Sequence, residues 1–199
     1  TANWTSMGPY SSNSGYNGIG RVNCVTVDPT NSDIIWVGTP AGGLWKSTNG
    51  GASWSTNTDN FTVLGVTAVV IDPTNTDIMY IGTGDGFAGD TRSRGVLKST
   101  DGGETWSTTG LTWNGTINLY IRYMAIHPTS PNIVLDAASN GIDRTTDSGA
   151  TFVKESGGDV FDIKLSPADP NIVYAATNNR LLKSSNIGDT WTTSFTVPD

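Results

Sequence analysis

Lys98-Ser99-Thr100-Asp101-Gly102-Gly103-Glu104-Thr105-Trp106 decides how this chain is read, because the stretch returns three more times. Lys46-Ser47-Thr48-Asn49-Gly50-Gly51-Ala52-Ser53-Trp54 precedes it, and Arg144-Thr145-Thr146-Asp147-Ser148-Gly149-Ala150-Thr151-Phe152 and Lys183-Ser184-Ser185-Asn186-Ile187-Gly188-Asp189-Thr190-Trp191 follow. The shared pattern is Ser-x-Asp-x-Gly-x-Thr-Trp. An Asp or Asn at its third place accepts hydrogen bonds from backbone N–H groups just ahead and closes a tight turn. The glycine common to all four copies supplies a positive φ. Thr and Trp then open the next strand, where β-branched and aromatic residues fit a pleated surface. The structural residues of the turns are therefore Ser47, Asn49, Gly51 and Trp54; Ser99, Asp101, Gly103 and Trp106; Asp147, Gly149 and Phe152; and Ser184, Asn186, Gly188 and Trp191.

A second block precedes each turn. The first copy, at 25–39, contains Asp28-Pro29-Thr30-Asn31, and the second, at 69–83, repeats it as Asp72-Pro73-Thr74-Asn75. The third, at 124–136, passes through His127-Pro128, and the fourth, at 163–176, through Ser166-Pro167. Each reads as strand, proline turn, strand, since proline cannot donate to a ladder. With the Asp turn this makes four strands per unit, called a to d. The shared glycines lie 52, 46 and 39 residues apart (51 to 103, 103 to 149, 149 to 188). Four antiparallel strands at that period are the signature of a propeller blade.

The expected fold is all-β, a β-propeller of four-stranded antiparallel blades. Residues 1–17 form an N-terminal closing strand, around Trp4, and a connector. Blades follow at 18–58, 63–110, 117–156 and 158–197. The fourth blade already has its own strand d from Trp191, so Trp4 lacks an evident partner. An open blade edge is an aggregation liability, and further blades or subunits completing a larger ring are expected.

Composition narrows the function. The 24 glycines and only 15% charged residues suit short strands and tight turns rather than solvated helices. A net charge of −7 argues against nucleic acid and against anionic membranes, and no apolar run is long enough for membrane insertion. Cys24, the single cysteine, excludes an internal disulfide framework and reads as a small core residue. No cofactor and no metal are expected: Asp85, Gly86 and Asp90 resemble part of a calcium loop without its later ligands. One histidine, His127, and one cysteine do not make a zinc site. His127 fills the turn slot of Asp28 and Asp72. Starting at Thr1 without a methionine, the chain reads as a processed product or a fragment, and its Gly-, Asn-, Thr- and Trp-rich composition as an exported one. Asn3, Asn60 and Asn114 head glycosylation sequons.

Because strand direction alternates, the a–b and c–d turns share one rim, and the b–c and d–a loops share the other. The second rim carries the length differences, and function tends to sit on such loops. From strand-b aromatic to strand-c base, blade two spans 18 steps (80 to 98), against 10 in blade one (36 to 46). The excess lies in Gly84-Asp85-Gly86-Phe87-Ala88-Gly89-Asp90-Thr91-Arg92-Ser93-Arg94. Asp85, Phe87, Asp90, Arg92 and Arg94, with Trp113 from the next connector, are the candidate ligand-binding residues: an aromatic near Asp and Arg suits a sugar or a peptide. The same residues also suit a loop packed on itself, with its charges paired.

The repeated turn resembles the Asp-box, or BNR repeat, of sialidases, xyloglucan-degrading endoglucanases, sortilin-type receptors and a photosystem assembly factor. Trp4, Gly8-Pro9, Gly20-Arg21-Val22, Asp28-Pro29, Gly42-Gly43-Leu44-Trp45-Lys46-Ser47 and Gly82-Thr83-Gly84-Asp85 add a likeness to secreted proteins of Bacteroidetes-type bacteria. Those proteins are often exported with a C-terminal sorting domain, the type IX route. The resemblance spans nearly the whole chain and implies an extracellular or cell-surface location. It does not carry catalysis over: the position matching the catalytic Asp of the xyloglucan-degrading relatives is Pro40. Sialidases use three arginines, and only Arg21 and Arg122 occupy the matching slot in strand a. The expected function is thus a non-catalytic module binding an extracellular polysaccharide or protein. One alternative is a glycoside hydrolase using Asp85 and Asp90 as its paired carboxylates. Another is a structural subunit of a surface assembly.

Overall fold

A computed structural model describes residues 21–59, 61, 65–86, 91–115 and 119–198. The closing strand and connector expected in 1–17 lie outside the described residues. Among the described residues there is no helix, only strands in four sheets. The first sheet is β1 (Cys24–Val27), β2 (Ile35–Gly38), β3 (Leu44–Ser47) and β4 (Ser55–Thr56), and the second is β5 (Val66–Ile71), β6 (Met79–Thr83), β7 (Gly95–Ser99) and β8 (Ser107–Thr112). The third is β9 (Ile121–Ile126), β10 (Val134–Ala138), β11 (Gly141–Thr145) and β12 (Val153–Gly157), and the fourth is β13 (Val160–Leu165), β14 (Val173–Thr177), β15 (Arg180–Ser184) and β16 (Thr192–Thr196). Each sheet is an antiparallel meander in chain order. β8 runs past the blade end expected at 110. The inner strands β1, β5, β9 and β13 lie against one another in succession, so the four sheets stack face to face as the blades of a β-propeller.

Local chemistry makes the turns. Ser47 Oγ, buried, accepts from the Gly51 N–H at 2.8 Å and donates to Asn49 Oδ1 at 3.0 Å, which accepts from the Ser53 N–H at 2.9 Å. Ser99 with Asp101, Thr145 with Asp147 and Ser184 with Asn186 repeat the pattern. The hydroxyl thus satisfies a buried backbone donor that the tight turn leaves without a ladder partner. In the other turns, Asp28 Oδ1 accepts from the Thr30 and Asn31 N–H groups, and Asp72 repeats this with Thr74 and Asn75.

The turns of blades two, three and four also dock on the blade before them. A Cβ on Gly103 would run into the Trp36 ring, one on Gly188 into Leu135, and one on Gly149 would sit 3.1 Å from the Tyr80 ring. These glycines hold φ of +81, +78 and +87°, so both backbone and neighbour demand the missing side chain. The basic residue that opens each turn points the same way along the ring. Lys46 lies over Trp36 and donates to Gly102 O, Lys98 lies over Tyr80 and donates to Ser148 O, and Arg144 reaches Asp189. Between blades one and two, Trp36 and Leu44 meet Val69, Ile71, Met79 and Ile81, with Trp106 partly buried against them. Phe152 and Trp191 take the place of Trp106 at the next two seams. Trp54, in the first blade, is instead 40% exposed.

Two tests follow from the turn. Gly103→Ala combines left-handed strain with a collision at Trp36 and is expected to cost about 3 kcal/mol in urea unfolding. Gly51→Ala meets no neighbouring blade and is expected to cost about half as much. The second concerns acid. Hydrogen bonds from the Thr105 and Thr151 side chains hold the Asp101 and Asp147 carboxyls down to about 2, below the usual 3.8. Their folded values are depressed, so the stability they contribute is present above pH 4 and is lost as pH falls towards 2. Asp101→Asn with Asp147→Asn is expected to flatten acid unfolding over that window, read by circular dichroism.

Candidate functional site

The inner strands leave a cavity of about 410 Å³, lined among others by Asn23, Val25, Thr67, Arg122, Tyr123 and Phe161. Tyr123 and Phe161 are 41% and 39% exposed, the two large rings presented at this surface. Each is pinned by a cation. The Lys164 ammonium lies 3.1 Å from the Tyr123 centroid, and the Arg122 guanidinium 4.3 Å from that of Phe161. Lys164 is in turn paired with Asp162 at 2.8 Å. Nothing in the repeats marked Tyr123 or Phe161. The available signal was an aromatic in an inner strand of each of two consecutive blades.

At the mouth of this cavity, arginines tie one blade to the next. Arg122 Nη2 donates to both Asp159 oxygens at 3.0 Å, Nη1 donates to Gly86 O at 2.9 Å, and Nη2 also reaches the Tyr120 hydroxyl at 3.0 Å. One side chain thereby joins blades two, three and four. Arg21, from the start of blade one, pairs with Asp85 at the end of β6 in blade two. A planar fork of donors suits such two-oxygen contacts. The arginines set beside the sialidase pattern are therefore engaged with carboxylates of this chain.

Asp85 is fully buried, so its carboxylate meets Arg21 rather than an open surface. Phe87 and Asp90 lie outside the described residues. Arg92 and Arg94 are exposed. The base of their loop is fixed: the Thr83 and Ser93 hydroxyls lie 2.8 Å apart in the interior, and Thr83 Oγ1 donates to Gly95 O. Trp113 is partly buried against the core between blades two and three, beside Tyr80 and Val96. The Trp113 N–H donates to Arg94 O at 3.1 Å, so this connector lies against the C-terminal end of the loop while the Trp113 ring packs partly inward. Among the described residues no cluster of three or more His, Cys, Asp or Glu could hold a metal ion.

Of the side chains with reactive potential, His127 and Asp136 are enclosed, and Cys24 is partly buried beside the cavity. Burial pushes the Cys24 thiol up to about 11, far from the thiolate a nucleophile needs. Burial pushes the His127 imidazole down, and its backbone N–H closes the turn onto Ile133 O at 3.0 Å. Asp136 in β10 takes the strand-b place held by Val37, Ile81 and Ala175, with Asp143 directly across on β11. Complete burial, then the Asp143 carboxylate, drive its carboxyl well above the usual range, against the pull of Lys154. It has no exposed surface and cannot meet a substrate. Its folded value is raised, so its contribution to stability is full below pH 4 and is lost as pH rises through the folded value. Asp136→Asn is expected to remove a decline of up to about 1.4 kcal/mol per pH unit above pH 4, read from urea midpoints across pH.

No family model and no curated protein matches the chain. Among solved structures it is similar to an ancestral GH74 enzyme, with 22% identity and a TM-score of 0.71 over 86% of this chain and 24% of that one. It is similar to the GH74 xyloglucanase from Xanthomonas campestris, with 18% identity and a TM-score of 0.67 over 87% of this chain and 30% of that one. It is also similar to the extracellular domain of a putative hybrid two component system from B. thetaiotaomicron, with 14% identity and a TM-score of 0.67 over 94% of this chain and 24% of that one. The chain spans under a third of the length of each. At these identities the likeness speaks to architecture, and it agrees with the four stacked sheets: the chain has the β-propeller fold.

Proposed function

We propose that this chain is part of an extracellular or cell-surface propeller of the Asp-box, sortilin-like kind, and that it binds a polysaccharide without cleaving it. The observation that carries the reading is the cavity with half-exposed, cation-pinned Tyr123 and Phe161. Flat rings offer sugars an apolar face, and fixed rings lose little entropy on binding. Asn23 and Asp162 stand beside them to meet hydroxyls. Asp162, the carboxylate that lines the cavity, is paired with Lys164, and Asp85 and Asp159 are engaged by Arg21 and Arg122, which disfavours the pair of available carboxyls that glycoside hydrolysis uses. The polysaccharide class and the extracellular setting draw support from the xyloglucanase and from the extracellular domain among the structural neighbours.

The test is a panel of plant, algal and host glycans, read for retention and for new reducing ends in the same wells. Retention without new ends is expected. Tyr123→Ala and Phe161→Ala should each weaken it about tenfold, which corresponds to about 1.4 kcal/mol. New reducing ends would replace this reading with the hydrolase. Retention unchanged in both variants would move the site off the inner strands, towards the exposed Arg92 and Arg94.

A further inference from the structure

Blade three, which has a blade on either side, holds a lysine against a side-chain amide with two buried carboxyls behind them. Asn140 sits in the turn between β10 and β11, and Lys154 reaches across from β12. The Lys154 ammonium donates to Asn140 Oδ1 at 3.3 Å and to Asp143 Oδ2 at 2.8 Å. Asp143 is buried, and Asp136 stands directly across from it on β10. Asp136 is fully buried, and neither of its carboxylate oxygens has a hydrogen-bond partner among the described residues. An enclosed polar group in that condition is costly and asks for a reason.

The fold does not supply the reason. Asp143 and Lys154 face each other across β11 and β12. The matching pairs in the other blades are Trp45 with Thr56, Leu97 with Thr108 and Leu182 with Thr193. An apolar residue and a threonine therefore build this part of a blade three times, and blade three alone builds it from charge. The three charged side chains converge on one amide carbonyl.

We propose that the chain joins Lys154 to Asn140 by an isopeptide bond, with Asp143 moving the protons. Asp143 accepts a proton from the Lys154 ammonium, and the freed amine attacks Asn140 Cγ, forming the Nζ–Cγ bond. Asp143 hands its proton to Nδ2 and takes the second amine proton from Nζ. The Cγ–Nδ2 bond breaks, ammonia leaves, and it carries the last proton away from Asp143 as ammonium. The carboxylate ends as it began, and nothing is oxidised or reduced. Amines do not attack amides freely in water, and a fixed contact supplies the effective concentration that the free groups lack. Handing the first proton across abolishes two charges at a place where burial has removed part of their hydration. The unpartnered Asp136 carboxyl gives a proton held by Asp143 a second place to rest. The bond closes residues 140–154 into a loop and ties the β10–β11 turn to strand d. That is the stabilising role of a disulfide, in a chain with one cysteine. It is independent of what the cavity binds.

The intact mass of the 199-residue chain, aged at neutral pH, tests it. The wild type is expected to fall below its sequence mass by one ammonia. Trypsin should release fragment 123–144 joined to fragment 145–164, the latter uncut after Lys154. Asn140→Ala and Lys154→Arg should each keep their full sequence mass. Asp143→Asn retains both reacting groups and should form the bond about a hundredfold more slowly, with the wild-type far-UV spectrum. A wild type that stays at its sequence mass would overturn the proposal. So would an ammonia loss that persists in Lys154→Arg, which would indicate closure of Asn140 onto the Gly141 nitrogen. An unchanged rate in Asp143→Asn would overturn the part given to that carboxylate.

Discussion

A glycine of one blade closing on a strand-b side chain of the blade before it is the contact on which the stack depends. It demands several things together. The glycine must be left-handed, or its turn would not fold back, and it must lack a Cβ, or the ring beneath would be displaced. The hydroxyl that caps its N–H must be buried, and all four are. Where the receiving side chain is Leu135 instead of an aromatic, the basic residue also changes. Arg144 has no ring to lie across, and its guanidinium extends to the Asp189 carboxylate instead of a turn carbonyl. Packing and polar contact are thus adjusted together at that seam.

On the opposite rim the blades are joined by charge rather than by close packing. Arg122 is largely enclosed and binds groups of blades two, three and four. Removing one partner of such a pair leaves the other desolvated and unsatisfied, so these ties set the relative position of the inner strands. That position determines the width of the cavity between Tyr123, Phe161 and the facing strands. Electrostatic clasps and aromatic surface are in this sense one assembly.

Much of the architecture was legible in the sequence because it is locally encoded. Asp101 reaches Thr105 and Ser99 reaches Gly103, all within one nonapeptide, and repetition made the signal plain. What was not legible is what each local unit meets. Gly103 could be read as a turn residue, but its fit against Trp36 lies 67 positions back (36 to 103). Asp85 read as a ligand group, while its partner Arg21 stands 64 residues upstream. Asp136 did leave a trace: aligning the strand-b blocks puts a carboxylate where the other blades carry apolar residues. Tyr123 and Phe161 left none in the turn pattern, since both lie in inner strands outside the repeated turns.

The direction of the seam has an evolutionary consequence. Every interior blade carries a socket on one face and a plug on the other, so a gene segment encoding one blade is self-sufficient. Tandem duplication of such a segment adds a blade that already fits both neighbours, and deletion brings together two faces that already match. Copy number can therefore drift while the sequence of each unit is held in place by its neighbours, and a family built this way would vary more in ring size than in the turn itself.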